Sequence, residues 1–178
     1  MRSEQDRINA FNSSPVALVC SKEFKEYLIE AGFFTAPAST KYHGSYEGGL
    51  FDHSENVTEA LIELTRQNNL TWQREQSPFI IGMFHDLCKI DQYILNEDGT
   101  YHYNAQALLR GHGDKSVMML EQFIPLTEEE IACIRYHMGS FTDQSEWSYY
   151  TNAVHKYPNV LWTHTADMIA AHIKEVDE

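Results

Sequence analysis

A histidine and an aspartate stand side by side near the end of an apolar run, Phe79-Ile80-Ile81-Gly82-Met83-Phe84-His85-Asp86-Leu87-Cys88-Lys89-Ile90. Burying that run carries an imidazole, a carboxylate and, three positions later, an ammonium into the interior. Charged groups are rarely taken out of water unless they are paired or bound to a metal. Adjacent polar residues are also common at solvated helix ends, so the pair alone decides little. Four further residues keep it company. His53 follows Gly48-Gly49-Leu50-Phe51-Asp52, and His112 sits in Gly111-His112-Gly113, where glycine lets other groups approach the backbone closely. His137 lies near the end of a capped helix in Tyr136-His137-Met138-Gly139. Asp167 lies inside Thr165-Ala166-Asp167-Met168-Ile169-Ala170-Ala171, where an unpaired carboxylate is costly.

Taken singly, each has a plain structural explanation. A lone histidine on an apolar helix is most often a hydrogen-bonded core residue, and Asp167 could pair with His164 or Lys89. The pattern is harder to dismiss, because histidines and carboxylates converging from several helices are how helical bundles build metal sites. Imidazole with carboxylate suits Fe, Mn, Zn or Ni rather than Ca.

The elements that must position these residues are helical. Ser21 caps a helix carrying Phe24, Tyr27, Leu28 and Ala31 on one face, with Gly32 as its stop. The stretch 35–49, rich in Gly, Ser and Pro, reads as a loop. It enters a helix from about Leu50 to Asn68, with His53 on its first turns. Ser77 as cap and Pro78 at the first helical position start a helix expected to run to about Lys89. Two β-prone runs, 93–96 and 100–103, flank Glu97-Asp98-Gly99 and predict a small hairpin. Further helices are expected over about His112 to Phe123, from the capping box Thr127-Glu128-Glu129-Glu130, and from Pro158 onward. In the last of these Trp162, Ala166, Ile169 and Ile173 form a stripe. Residues 139–150 read as a loop with a short helix. The expected architecture is all-α, a single domain over 1–178, with one short hairpin at most.

Composition narrows the function. The chain has 178 residues, enough for one sizeable core, and its 43% hydrophobic content is ordinary for a globular protein. A formal net charge of -13 argues against an extended nucleic-acid surface, which needs clustered Lys and Arg. A small anionic ligand held by a local metal or lysine is compatible with it. Cys20, Cys88 and Cys133 are odd in number, lack ligand-like spacing and lie in apolar stretches, so they read as reduced core residues of a cytoplasmic protein. The charged start, Met1-Arg2-Ser3-Glu4-Gln5-Asp6-Arg7, has no apolar run after it and argues against a secretory signal. No apolar run approaches a membrane span.

His53, His85-Asp86, His112, His137 and Asp167, in that order on successive helices, resemble the HD-domain superfamily of metal-dependent phosphohydrolases. The resemblance runs from about Pro37 to Ala171. Pro37-Ala38-Ser39, Tyr42-His43, Gly48-Gly49-Leu50 and His53-Ser54 are also similar to the entry of the HD domain of bacterial 3′-to-5′ exoribonucleases. The resemblance implies a helical HD bundle in which His53, His85, Asp86 and Asp167 hold a first metal. Asp86 would bridge to a second, with His112 and His137 on its far side. The implied cofactor is a divalent transition metal, two per chain, drawn from Mn, Fe, Ni, Co or Zn, with Mg also open. The family often has a glycine before the lysine of its motif, where this chain has Cys88, and members with a second site often have paired histidines where this chain has His137-Met138.

Hydrolysis of a phosphoester needs charge neutralised on the phosphoryl oxygens and a nucleophile at neutral pH, and a metal lowers the pKa of bound water from about 15.7 towards ~7. Lys89, one helical turn beyond Asp86, could meet the developing charge, or could simply pair with Asp86 or Asp91. His43, in the loop before the first ligand helix, could touch substrate, although loop histidines are more often merely exposed. His102, His155, His164 and His172 read as structural or exposed. The aromatic cluster Phe141, Trp147, Tyr149 and Tyr150 could lid a base-binding pocket, or be core or a dimer contact.

The reading these residues support is a phosphohydrolase acting on a nucleotide or small phosphoester, Asp86 and Lys89 being the candidate catalytic residues and Lys89 and His43 the candidate substrate contacts. The rivals are a di-iron oxygenase on the same scaffold and a non-catalytic nucleotide-binding module. A homodimer stays open, with no surface singled out.

Overall fold

The computed structural model describes residues 2–109 and 111–175. Among them are eight α-helices and one two-stranded antiparallel hairpin, an all-α architecture as the helical patterning leads one to expect. The helices are α1 (Glu4–Ser13), α2 (Lys22–Glu30), α3 (Gly49–Asn68), α4 (Ser77–Phe84), α5 (Gly113–Leu120), α6 (Glu128–Arg135), α7 (Trp147–Lys156) and α8 (Asn159–Ile169). The hairpin pairs β1 (Tyr93–Leu95) with β2 (Tyr101–Tyr103), Tyr93 opposite Tyr103. No helix among the described residues is long and apolar enough to cross a membrane.

The long helix α3 is the centre of the bundle. It packs on α4 and α8, while α6 packs on α5 and α8. Phe11, Phe24, Phe33, Phe34, Phe51 and Phe84 fill the adjoining core in edge-to-face and tilted contacts, such as Phe11–Phe34 at 5.6 Å and Phe24–Phe84 at 5.2 Å. Such pairs contribute about 0.5–1.5 kcal/mol each beyond the area they bury. Gly82 lets α4 lie directly on α3, since a Cβ there would come within 2.6 Å of the Thr58 backbone. That closeness sets the distance between the residues that leave the two helices at His53 and His85.

Local signals fixed most boundaries. The Ser21 hydroxyl accepts from the Phe24 amide, Gly32 takes a left-handed conformation after α2, and Thr127 and Glu130 form the expected capping box. Cys20, Cys88 and Cys133 are buried free thiols.

Three expectations need correction, and two helices go beyond what the sequence indicated. The helix from Ser77 does not reach Lys89: it ends at Phe84, and Leu87–Asp91 forms a separate 3₁₀ turn. Ser77 is not the cap, because its hydroxyl donates to Glu130 Oε1 at 2.8 Å instead. The segment Glu4–Ser13, given no helix from the sequence, is α1 with a Ser3–Asp6 capping box; its burial rests on Arg7 and Phe11, too sparse for an apolar periodicity. Residues 147–156 form a full helix, α7, whose fully buried positions are none and whose pattern is correspondingly faint. Ile173 is not part of the last stripe. A π-helical turn, Ala170–Lys174, follows α8 and leaves Ile173 71% exposed.

Candidate metal centre

Five imidazoles form a continuous file through the bundle. Ring centroids are 4.8 Å apart for His43–His53, 5.4 Å for His53–His85, 4.8 Å for His85–His137 and 4.9 Å for His137–His112. Asp86 and Asp167 lie against this file, so all six residues singled out as metal ligands come together, with His43 at one end. The side chains of His53, His85, Asp86 and His137 are at most 3% exposed, Asp167 is 9% exposed and His112 26%.

Two helix ends build the middle of the site. In a continuous helix neighbouring side chains diverge by about 100°. The break after Phe84, with Asp86 at φ -106° and ψ 18°, instead turns His85 and Asp86 into one cavity, His85 Nε2 lying 3.5 Å from Asp86 Oδ2. α6 ends the same way: Tyr136 takes φ -108° and ψ 18°, and His137 follows it inward. His112 immediately precedes α5. Gly113 is needed there, because a Cβ would come within 2.3 Å of the Arg135 carbonyl oxygen, and the close approach sets His112 beside His137.

The orientation of the rings is what makes the cluster a donor set. His85 Nδ1 lies 2.9 Å from the Gly82 carbonyl and His137 Nδ1 lies 2.7 Å from the Ile134 carbonyl, each three residues back in the chain. A carbonyl only accepts, so both rings carry the proton on Nδ1 and present the Nε2 lone pair inward. His53 Nδ1 faces both oxygens of Glu175 at 3.1 and 3.2 Å. His112 Nδ1 faces Cys88 Sγ at 3.4 Å.

The inward atoms lack partners. Among the described residues, the buried side-chain nitrogen and oxygen atoms without a hydrogen bond are His53 Nε2, His85 Nε2, His137 Nε2, Asp86 Oδ1 and Ser54 Oγ. Four of these five belong to the cluster. Buried polar atoms are nearly always satisfied, and leaving one unsatisfied costs about 1–3 kcal/mol. His53 Nε2 is 3.2 Å from Asp167 Oδ1 and His137 Nε2 is 3.4 Å from Asp86 Oδ1, without the alignment of a hydrogen bond. Four groups, His43–His53–Glu175, His53–His85–Asp86, His85–His137–Asp167 and Asp86–Cys88–His112, each bring one donor atom per residue within 4.8 Å of one another. Nitrogen and oxygen donors arranged so could hold a divalent metal ion.

Asp86 divides its oxygens between two sides. Oδ2 faces Lys89 Nζ at 2.6 Å, His85 Nε2 at 3.5 Å and His53 Nε2 at 3.8 Å; Oδ1 faces His112 Nε2 at 2.9 Å and His137 Nε2 at 3.4 Å. Burial disfavours its anion, but the charge of Lys89 above all holds the carboxyl well below the usual range. Burial opposes the Lys89 ammonium too, and the charge of Asp86 reverses this and raises its pKa. Lys89 therefore pairs with Asp86, while Asp91 pairs with Lys115. Burial, helped by the neighbouring His137, lowers the His85 pKa to about 4 and keeps that ring neutral. At His53, burial is outweighed by the neighbouring carboxylates of Asp167 and Glu175, and the pKa rises to about 9.

Glu175 and Cys88 were not singled out as contributors from the sequence. Glu175 lies near the chain end with no motif around it, and only a turn type invisible to helical periodicity brings it back to His53. Arg7 was also missed. It is buried and grips Asp52 with two nitrogens, at 3.1 and 2.8 Å, fixing the first turn of α3 one residue before His53. His164 keeps its structural role, its Nδ1 lying 2.8 Å from the His137 carbonyl. Phe141 and Tyr149 are 70% and 61% exposed, which removes them from the core.

No family model and no solved structure matches the chain. Over 73 residues the chain is 37% identical to a dihydroneopterin 2′,3′-cyclic phosphate phosphodiesterase of Methanocaldococcus jannaschii. That stretch covers 39% of this chain and spans 29% of the relative's length, so the similarity is to part of a phosphodiesterase that acts on a small cyclic phosphate.

Proposed function

We propose that the chain is a metal-dependent phosphohydrolase of the HD type, folded as one domain over 1–178, that hydrolyses a phosphoester of a small nucleotide-derived substrate. The observation that carries this reading is the split environment of Asp86, whose two oxygens face two sets of imidazole Nε2 atoms with Lys89 alongside. His53, His85, Asp86 and Asp167 would hold one divalent metal, and Asp86, His112 and His137 a second. Bound there, such metals supply Lewis acidity for activating water and neutralising phosphoryl charge.

The chain's own residues do the rest. Carbonyl contacts lock the His85 and His137 rings with Nε2 inward, so the donor set is preorganised. Lys89 keeps Asp86 ionised and places one cation where a phosphoryl oxygen can approach. His43, half-buried beside His53, is placed to touch substrate at that end of the file. The partial relative favours a cyclic phosphodiester as substrate: water adds at phosphorus, one P–O ester bond breaks, and the products are a phosphomonoester and a free hydroxyl. The net charge of -13 favours a small substrate over an extended nucleic acid.

The test is metal content of the purified protein, paired with product formation from a panel of 2′,3′-cyclic and linear nucleotides and pterin cyclic phosphates in the presence of Mn, Co, Ni or Mg. Two metals per chain with turnover of a cyclic phosphate is the expected result. Two irons with oxygen consumption and no phosphate chemistry would overturn it in favour of an oxygenase, and tight nucleotide binding without turnover under any metal would leave a binding module.

A further inference from the structure

Two carboxylates from one terminal segment hold opposite edges of the His53 ring. Asp167 on α8 lies at Nε2, and Glu175, eight residues later, lies at Nδ1. In a regular α-helix eight residues would set Glu175 about 80° round the axis from Asp167. The π-helical turn Ala170–Lys174 intervenes, and such turns recur at functional sites. After it Ile173 points to solvent and Glu175 points inward, its side chain 2% exposed. Lys174 leaves in the other direction, to Glu59 at 2.8 Å. Asn56, one turn after His53 on α3, donates to Glu175 Oε1 at 3.0 Å and fixes the carboxylate against the ring.

We propose that Glu175 is a positioning residue of the metal centre: it holds the His53 Nδ1–H so that Nε2 is the donor atom turned towards Asp86 and Asp167. The inference rests on the reading that His53 is a metal ligand, and it adds a residue outside the six that reading names. A carboxylate behind a ligand histidine fixes the tautomer and the ring plane and makes the inward nitrogen a better donor. The other proposed ligand rings, His85, His137 and His112, have neutral groups at Nδ1, two carbonyls and a thiol. The carboxylate at His53 therefore singles out one ligand for tighter control. A structural tether between the chain end and α3 would need an ion pair or a hydrogen bond at either nitrogen. Both oxygens at Nδ1, with Asn56 bracing them and Nε2 left to the cavity, are what a tautomer lock requires.

The experiment compares Glu175→Gln, Glu175→Ala and His43→Ala with the full wild-type chain, using Zn(II) alone as the probe. Affinity is read by competition with a chromophoric chelator, and the zinc-loaded His53 ring by nitrogen-15 chemical shifts. The unfolding midpoint of each metal-free variant reports its fold. Glu175→Ala is expected to weaken the tighter zinc by about 10–100-fold, and its His53 ring to lose the single pattern of protonated Nδ1 and zinc-bound Nε2. Glu175→Gln keeps an acceptor for Nδ1–H and should recover most of the affinity and the wild-type pattern. His43→Ala should leave zinc affinity unchanged. Equal zinc binding by wild type and Glu175→Ala, in proteins that both take up zinc, overturns the inference and leaves the centre standing. Equal losses in Glu175→Ala, Glu175→Gln and His43→Ala overturn it in favour of a metal held directly among His43, His53 and Glu175. A wild-type chain that takes up no zinc removes the proposed centre itself, and the inference with it.

Discussion

The two ends of the proposed ligand set are built differently. At one end His53 is 1% exposed, lies in the first turns of the longest helix, and has charged oxygen at both ring edges. At the other end His112 is 26% exposed, lies outside any helix just before α5, and is backed by a thiol at 3.4 Å. Asp86 touches both sides. The difference separates a rigid, anionic half from a looser, more open one, and under the proposed function it separates a tightly held metal from an exchangeable one.

The largest effect should come from the residue the two halves share. Asp86→Ala removes both carboxylate oxygens and leaves Lys89 buried without its partner. It is expected to abolish metal uptake and hydrolysis together, measured as metal per folded chain and turnover on the same sample. Full metal content in Asp86→Ala would show that the two halves do not share a bridging group.

Next in size is the split itself. His137→Ala should leave about one metal per chain, retained on the His53 side, while His53→Ala should cost the metal that binds first. Stepwise titration with Mn or Co, followed by timed removal with a chelator, reads the order. Loss of both metals in each variant would mean that the file behaves as one cooperative unit.

The halves should also respond differently to pH. In the metal-free protein His53 carries a proton up to about pH 9, because Asp167 and Glu175 more than offset its burial. A metal must displace that proton, so apparent affinity on this side should rise about tenfold per pH unit towards pH 9 and then level off. At His112 burial lowers the pKa, so on that side the slope is left to His137 alone, where Asp86 offsets burial and raises the pKa. Calorimetric titration in two buffers of different ionisation enthalpy counts the protons released by each binding event. Proton release that is equal for the two events would erase the distinction.

The sequence reached the residues of the cluster and the fold more readily than the groups behind them. His53, His85, His137 and Asp167 are legible because a polar residue in an apolar helical pattern stands out, His112 because glycines flank it, and Ser21, Thr127 and the Asp98-Gly99 turn mark boundaries through local hydrogen bonding or φ alone. The break at His85-Asp86 was not legible, since apolar residues resume at Leu87 and Cys88 and no glycine or proline stands at the turn. Glu175 was hidden for a related reason: helical periodicity assumes a constant turn, and the π-helical turn changes the count. Arg7 carries no apolar signal at all, and its burial depends wholly on Asp52, 45 residues away. What sequence reading lacks in each case is the partner that makes an unpromising side chain worth burying.

The smallest predicted effect isolates the thiol. Cys88 is fully buried, burial pushes its thiol up to about 12, and it is therefore a neutral, weak acceptor for the His112 Nδ1–H. Its backbone amide is fixed separately, donating to Ser116 Oγ at 3.1 Å, so a change of side chain leaves the turn anchored. Cys88→Ala should lower affinity for the second metal by about tenfold, the low end of the range for an outer hydrogen bond to a ligand histidine. Cys88→Ser supplies a better acceptor, but its C–O bond is shorter than C–S and it reaches less far, so it should fall between alanine and wild type. Neither variant should change the first metal, whose ring is held by Glu175. If Cys88→Ala instead weakened the first metal as much as the second, the two halves would be coupled through Asp86, and the exposure of His112, rather than the group behind it, would be what distinguishes them.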